Sequence, residues 1–142
     1  MWASKPIGSI AWAGFLLRLS LGFHMILAGV WSIDDFQRFS AHMAQLTGFM
    51  GQLTQLYAAV APFVLITVGG LLLLGLWTVA AALVAVIFFL PMFYGQGLFE
   101  FPSDVLARRA IYKDACILCA CASLTFTGGG ILSLDRLMKA DK

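Results

Sequence analysis

The chain has 142 residues, of which 61% are hydrophobic and only 11% charged, and its mean hydropathy is +0.93. A water-soluble domain carries roughly 25% charged residues because its surface faces water. This composition excludes a soluble globule, and a formal charge of only +2 gives no indication of a nucleic-acid partner. The charges also fall in clusters between long uncharged stretches, which is typical of a protein that crosses the lipid bilayer.

Four apolar stretches are long enough for transmembrane helices, each of which needs roughly 20 apolar residues. They cover residues 9–33, 56–77, 78–99 and 109–132. Between the first two, apolar residues at three- and four-residue spacings over 35–52 predict an amphipathic interfacial helix, although a loop helix packed on the bundle mouth fits equally well. We therefore predict an all-α membrane fold: one integral membrane domain over 1–142, with four transmembrane helices and an amphipathic helix between helices one and two.

Ionisable residues inside a transmembrane helix are costly and by default face the bundle interior. Arg18 and His24 fall in the first predicted span, and Lys113 and Asp114 fall in the fourth. We assume that helices one and four meet the same membrane interface near Ile33 and Arg108. At a rise of 1.5 Å per residue, His24 then lies roughly 13 Å below this interface and Asp114 roughly 9 Å below it. We therefore expect these two side chains to be level enough to pair, and we expect Arg18 to have a buried partner: a carbonyl, a lipid headgroup or another subunit.

Polar side chains near the ends of helices three and four form a second group of candidates. The end of helix three carries Tyr94 and Gln96, and the start of helix four carries Tyr112 beside Lys113 and Asp114. Such groups can hydrogen-bond a quinone carbonyl while phenylalanines and leucines hold its apolar tail. Trp31 shares a helical stripe with His24 and joins the same candidate site. The candidate quinone-binding or ligand-binding residues are thus His24, Trp31, Tyr94, Gln96, Tyr112, Lys113 and Asp114, with Arg18 as a buried polar residue.

Each candidate also has a purely structural interpretation. His24 can hydrogen-bond a neighbouring carbonyl, and an acidic residue near the start of a helix is favourable by itself. No catalytic residue can be assigned from this pattern.

The cysteines and histidines favour neither thiol redox chemistry nor a metal. Side chains three apart on a helix have Cβ atoms roughly 5–6 Å apart, whereas a disulfide needs about 3.5–4.5 Å, so Cys116 and Cys119 are predicted to remain unlinked. His42 falls in the interfacial segment, which leaves His24 without a second intramembrane histidine for haem ligation. No metal and no haem are expected.

Three motifs along the chain resemble the DoxX family of small four-helix bacterial membrane proteins. They are residues 18–29 (RLSLGFHMILAG), 69–76 (GGLLLLGL) and 128–135 (GGGILSLD). The resemblance implies a multi-pass protein of the bacterial inner, or cytoplasmic, membrane with both termini in the cytoplasm, whereas the basic residues alone divide almost evenly between the two sides. It also implies association with redox complexes, a quinone as the cofactor, and other membrane or periplasmic subunits as partners beside the lipid bilayer.

The sequence departs from this family pattern at ionisable positions. Residues 31–33 (WSI) stand where members often have a lysine, Ile66 stands where an acidic residue is common, and residues 78–79 (TV) replace an arginine. An accessory subunit of an oxidoreductase is therefore favoured over a lone catalyst. Two functions stay open: an integral subunit of a quinone-linked redox complex that anchors or helps to form a quinone site, and a non-catalytic scaffold or assembly subunit of a larger membrane complex.

Overall fold

The computed structural model describes residues 10–47, 51–95, 105–128, 130 and 133–135. These residues form five helices: α1 (Ile10–Asp34), α2 (Phe36–Thr47), α3 (Leu53–Leu74), α4 (Thr78–Gly95) and α5 (Val105–Thr127). The predicted all-α fold is confirmed for this part of the chain. The predicted interfacial segment at 35–52 contains α2, which covers Phe36–Thr47.

Helices α1, α3, α4 and α5 pack as a ring in which each helix contacts the next: α1 with α3, α3 with α4, α4 with α5, and α5 with α1. Helix α2 lies at the end of the bundle where α1 finishes, and it contacts α3, α4 and, less extensively, α1. We call this the α2 end. The opposite end, where α3 turns into α4 through residues 75–77, is the turn end.

The α3–α4 turn is longer than predicted: α3 stops at Leu74 rather than at Trp77, so residues 75–77 connect it to α4. Gly75 has φ +66, and its N–H points at the carbonyls of Leu71 and Leu72. Leu76 also donates to Leu71 O at 3.0 Å. This is the left-handed glycine cap that satisfies the last carbonyls of a helix. It reverses the chain within three residues.

Glycines allow α1 and α3 to approach closely. A Cβ on Gly22 would lie 2.8 Å from Gly69 O, and a Cβ on Gly69 would lie 2.8 Å from Gly22 O. A Cβ on Gly29 would similarly lie 2.9 Å from Pro62 O. Small residues at such contacts bring helix backbones together in membranes. The predicted packing role of the α1 glycines is therefore what the structure shows.

The bundle interior is apolar, and so is most of its outer surface. Buried core residues come from α1, α3, α4 and α5: Leu21, Met25, Leu65, Val68, Leu72, Ala81, Ala82, Ala85, Phe89, Ile117, Cys121 and Leu124. Large apolar side chains also face outward, such as Phe63, Ile87 and Phe126. A soluble bundle exposes apolar patches of this extent only at binding sites. A lipid environment explains the apolar outer surface.

Candidate functional site

A cavity of about 410 Å³ opens at the α2 end of the bundle. Ligand sites usually measure roughly 300–1,000 Å³ and combine apolar walls with a few polar groups. All five helices contribute to the walls: His24, Ala28, Trp31, Ser32, Asp35, Arg38, Phe39, His42, Met43, Ala61, Leu65, Phe88, Phe89, Met92 and Lys113. The cavity is therefore the strongest candidate site in the described part of the chain.

The inner end of this cavity is polar. His24 is half-buried on α1 and lines the cavity together with Lys113 of α5. Asp114 is completely buried, and its Oδ1 lies 3.4 Å from Lys113 Nζ. The charges of Lys113 and Asp114 both act on His24. The tertiary structure thus brings His24, Lys113 and Asp114 together.

Helix α5 starts four residues earlier than the predicted span, at Val105. Asp114 therefore lies in the third turn of the helix rather than the second. A first-turn carboxylate would be held by the free N–H groups of the helix start. At its observed position Asp114 depends on neighbouring side chains, including Lys113.

Tyr57 of α3 belongs to the same cluster, although it was not among the predicted site residues. Its hydroxyl donates to Phe88 O at 2.6 Å, and its ring stacks on Phe88 with the centroids 4.6 Å apart. The charge of Asp114 also acts on this hydroxyl. A tyrosine on an apolar helix was the available signal, but nothing local in the sequence indicated its partner.

Tyr57→Phe is expected to lower the unfolding free energy by about 1 kcal/mol, because it leaves Phe88 O without this donor while the ring stack is kept. The measurement is SDS-induced unfolding of the purified protein followed by circular dichroism. Tyr112→Phe is the matched control, since Tyr112 is 60% exposed. Equal stabilities of the two variants would show that the 2.6 Å hydrogen bond has no net stabilising effect.

Helix α2 supplies the mouth of the cavity. Asp35, which joins α1 to α2, lies 3.3 Å from Arg38 through its Oδ2, and both side chains are largely exposed. His42 and Met43 also line the cavity, and Met43 is buried. Of the two placements left open for this segment, the helix packed on the bundle mouth is the one observed, although its side chains were not predicted as site residues. Amphipathic spacing identifies the apolar face of a helix but not the element that it covers.

The other predicted site residues do not all gather here. Trp31 lines the cavity although it is 68% exposed. Tyr94 and Tyr112 are 54% and 60% exposed and lie outside the cavity wall. Gln96 falls outside the described residues. Of the predicted cluster at the ends of helices three and four, Lys113 lines the cavity and the two tyrosines do not.

Arg18 lies near the turn end, away from the cavity, and is 1% exposed. Its guanidinium packs directly against Gly75, where a Cβ would collide with it. Its carbon Cζ also lies 5.3 Å from the centroid of the Phe15 ring. The charge of Asp135 acts on Arg18. The groups that surround the buried Arg18 side chain thus belong to this same chain.

Asp135 ties the C-terminal segment to the α3–α4 turn. Its carboxylate accepts hydrogen bonds from Trp77 N at 2.7 Å and Thr78 N at 2.8 Å, and its own N–H donates to Gly75 O at 3.1 Å. These contacts satisfy the first N–H groups of α4 and place a negative charge at its positive end. We call Arg18, Gly75 and Asp135 the turn clasp.

The three cysteines are not joined in a disulfide. Cys116, Cys119 and Cys121 are free thiols; the first two are exposed and the third is buried. Within the described residues, no group of three or more histidine, cysteine or acidic side chains is arranged to hold a metal.

The segments Trp12–Asp34 and Leu53–Leu74 are long and apolar enough to cross a membrane, and Thr78–Tyr94 is a shorter apolar helix. With the apolar outer surface, they define a helical membrane protein. The DoxX family model matches residues 13–95, more than half of the chain, and the protein belongs to the DoxX family. The match spans α1 to α4, so the two ionisable residues of α5 in the cluster lie outside it. No curated protein and no solved structure gave a significant match.

Proposed function

We propose that this protein is an integral subunit of a bacterial quinone-linked redox complex and that the cavity at the α2 end receives the quinone headgroup. The observation that carries the proposal is the pairing of an apolar cavity of about 410 Å³ with a polar inner end. The proposed headgroup lies among Phe88, Phe89 and Met92. His24 and Lys113 provide nitrogen donors for its carbonyl oxygens.

The proposed role is accessory rather than independently catalytic. Bound quinone would supply the two-electron redox chemistry, and a partner subunit would deliver the electrons. This chain's residues would orient the headgroup and exclude water from it. Support for the accessory role comes from the absence of the family's ionisable residues at 31–33, 66 and 78–79.

We further propose that α1, α3, α4 and α5 all cross the bacterial inner membrane, with the chain termini in the cytoplasm. Helix α4 has 18 residues and α5 has 23, which correspond to roughly 27 and 35 Å at 1.5 Å per residue. The hydrocarbon core is about 30 Å thick. Trp31 and Trp77, at opposite ends of the bundle, fit the aromatic belts of the two interfaces.

The quinone site is tested by tryptophan fluorescence quenching. Trp31 lines the cavity, whereas Trp77, which is equally exposed, does not. Trp31 is 68% exposed at the cavity, and Trp77 is 67% exposed at the turn end. A short-chain quinone dissolved in the detergent reaches both by collision. If the cavity binds quinone, Trp77→Phe retains saturable quenching and Trp31→Phe loses it. Equal, non-saturating quenching in both variants would remove the site.

The complex is tested by native mass spectrometry of protein extracted gently from its own membrane. Partner subunits together with quinone would support the redox assembly. Partner subunits without quinone would favour the alternative, a non-catalytic scaffold subunit. A homo-oligomer or monomer with only phospholipid would contradict both assignments.

A further inference from the structure

Each cation that lines the cavity is accompanied by its own carboxylate. Lys113 Nζ lies 3.4 Å from Asp114 Oδ1 at the inner end, and Arg38 Nε lies 3.3 Å from Asp35 Oδ2 at the mouth. Among the described residues, Asp35, Arg38 and Lys113 are the charged side chains that line the cavity. The local charge is therefore balanced at both ends.

Many of the other lining side chains are aromatic or thioether groups. Phe39 and Met43 of α2 line the cavity together with Phe88, Phe89 and Met92 of α4. Such side chains favour a flat, polarisable ring, and they offer no compensation for a net charge. An anion that enters the cavity would lose its hydration, and both cations there are already neutralised by carboxylates. Attraction to these cations would therefore not offset the desolvation cost.

From these two observations we infer that the cavity selects an uncharged ring with hydrogen-bond acceptors and rejects the same ring when it carries a negative charge. The inference rests on the proposed function and specifies the charge state of the ligand. Asp114 and Asp35 are the residues that determine this selectivity, because each neutralises a cation that would otherwise attract anions. Neither carboxylate needs to contact the ligand.

The test compares two probes of nearly equal shape, 1,4-naphthoquinone and 2-hydroxy-1,4-naphthoquinone, the second of which is anionic at neutral pH. Binding is measured as the saturable quenching of Trp31, with the Trp31→Phe protein subtracting collisional quenching by probe in the detergent. The neutral probe is expected to bind at least about tenfold more tightly than the anion, which corresponds to one decade in the dissociation constant.

Two variants should relax this selectivity. Asp114→Asn removes the buried carboxylate beside Lys113, whose own side chain is 52% exposed. It is expected to tighten anion binding about three- to tenfold, with neutral binding changed less than about twofold. Asp35→Asn should act in the same direction by about two- to threefold, because exposed ion pairs are weak. Its matched control is Asp34→Asn, which makes the same charge change at an exposed residue outside the cavity wall. If Asp114→Asn does not fold, Asp35→Asn still tests the inference, because Asp35 is exposed and its substitution should not impair folding.

The possible failures are distinct. Equal binding of the two probes by the unaltered protein would overturn the selectivity while leaving the quinone site in place. Unchanged anion binding in both Asp35→Asn and a folded Asp114→Asn would also overturn it. If neither probe quenches Trp31 specifically, the proposed quinone site itself fails.

Discussion

Asp135→Ala is expected to destabilise the protein by about 1.5–3 kcal/mol, the range for hydrogen bonds to a charged group. The substitution removes the acceptor for the N–H groups of Trp77 and Thr78. It also removes the negative charge that acts on Arg18, which is 1% exposed. The expected result is a large loss of thermal stability in detergent, measured by circular dichroism and by retention of the monodisperse protein after heating.

Two further variants separate the parts of this effect. Asp135→Asn keeps an oxygen acceptor but removes the charge, so it should fall between the wild type and Asp135→Ala. Asp34→Ala removes an exposed acidic residue at the α2 end and should change stability by no more than about 0.5 kcal/mol. If Asp135→Ala is as mild as Asp34→Ala, the turn clasp does not stabilise the bundle.

Gly69→Ala is expected to destabilise the bundle by about 1–3 kcal/mol, the usual cost of adding a methyl group to a packed interface. The new Cβ would lie 2.8 Å from Gly22 O and 3.0 Å from Ile26 N. Both contacts are to the backbone of α1, which cannot rotate away, so the helices must separate. Unfolding in SDS, followed by circular dichroism, measures the loss.

The neighbouring residue provides the control for this substitution. A Cβ on Gly70 would meet nothing within 4 Å. Gly70→Ala is therefore expected to be neutral or to stabilise the helix by about 0.5–1 kcal/mol, because alanine restricts the unfolded chain and favours the helix. If Gly69→Ala and Gly70→Ala have equal stability, the contact between α1 and α3 tolerates an added methyl group and the prediction is wrong.

The site was predictable only where a helix carries its own signal. His24, Lys113 and Asp114 are ionisable residues in apolar stretches, and the rise of a helix places them at similar expected levels. Tyr94 and Tyr112 were placed in the site by proximity to the helix ends, but both are more than half exposed. Which way a side chain points around a helix depends on the rotation of that helix against its neighbours. Nearly uniform apolar helices such as α4 carry little pattern that reports this rotation.

The sequence by itself determined the helical class, the approximate positions of the helices and the membrane character, because these follow from runs of apolar residues and the length that spans a bilayer. It also identified the glycines of α1 as packing residues and argued against a Cys116–Cys119 disulfide, since both depend on helical spacing. Only the tertiary structure decided that Asp135 caps α4 beside Arg18, that Tyr57 bonds Phe88 O, and that α2 walls the cavity. Each of these contacts joins residues distant in the chain, and helix periodicity is a local property that does not specify such partners.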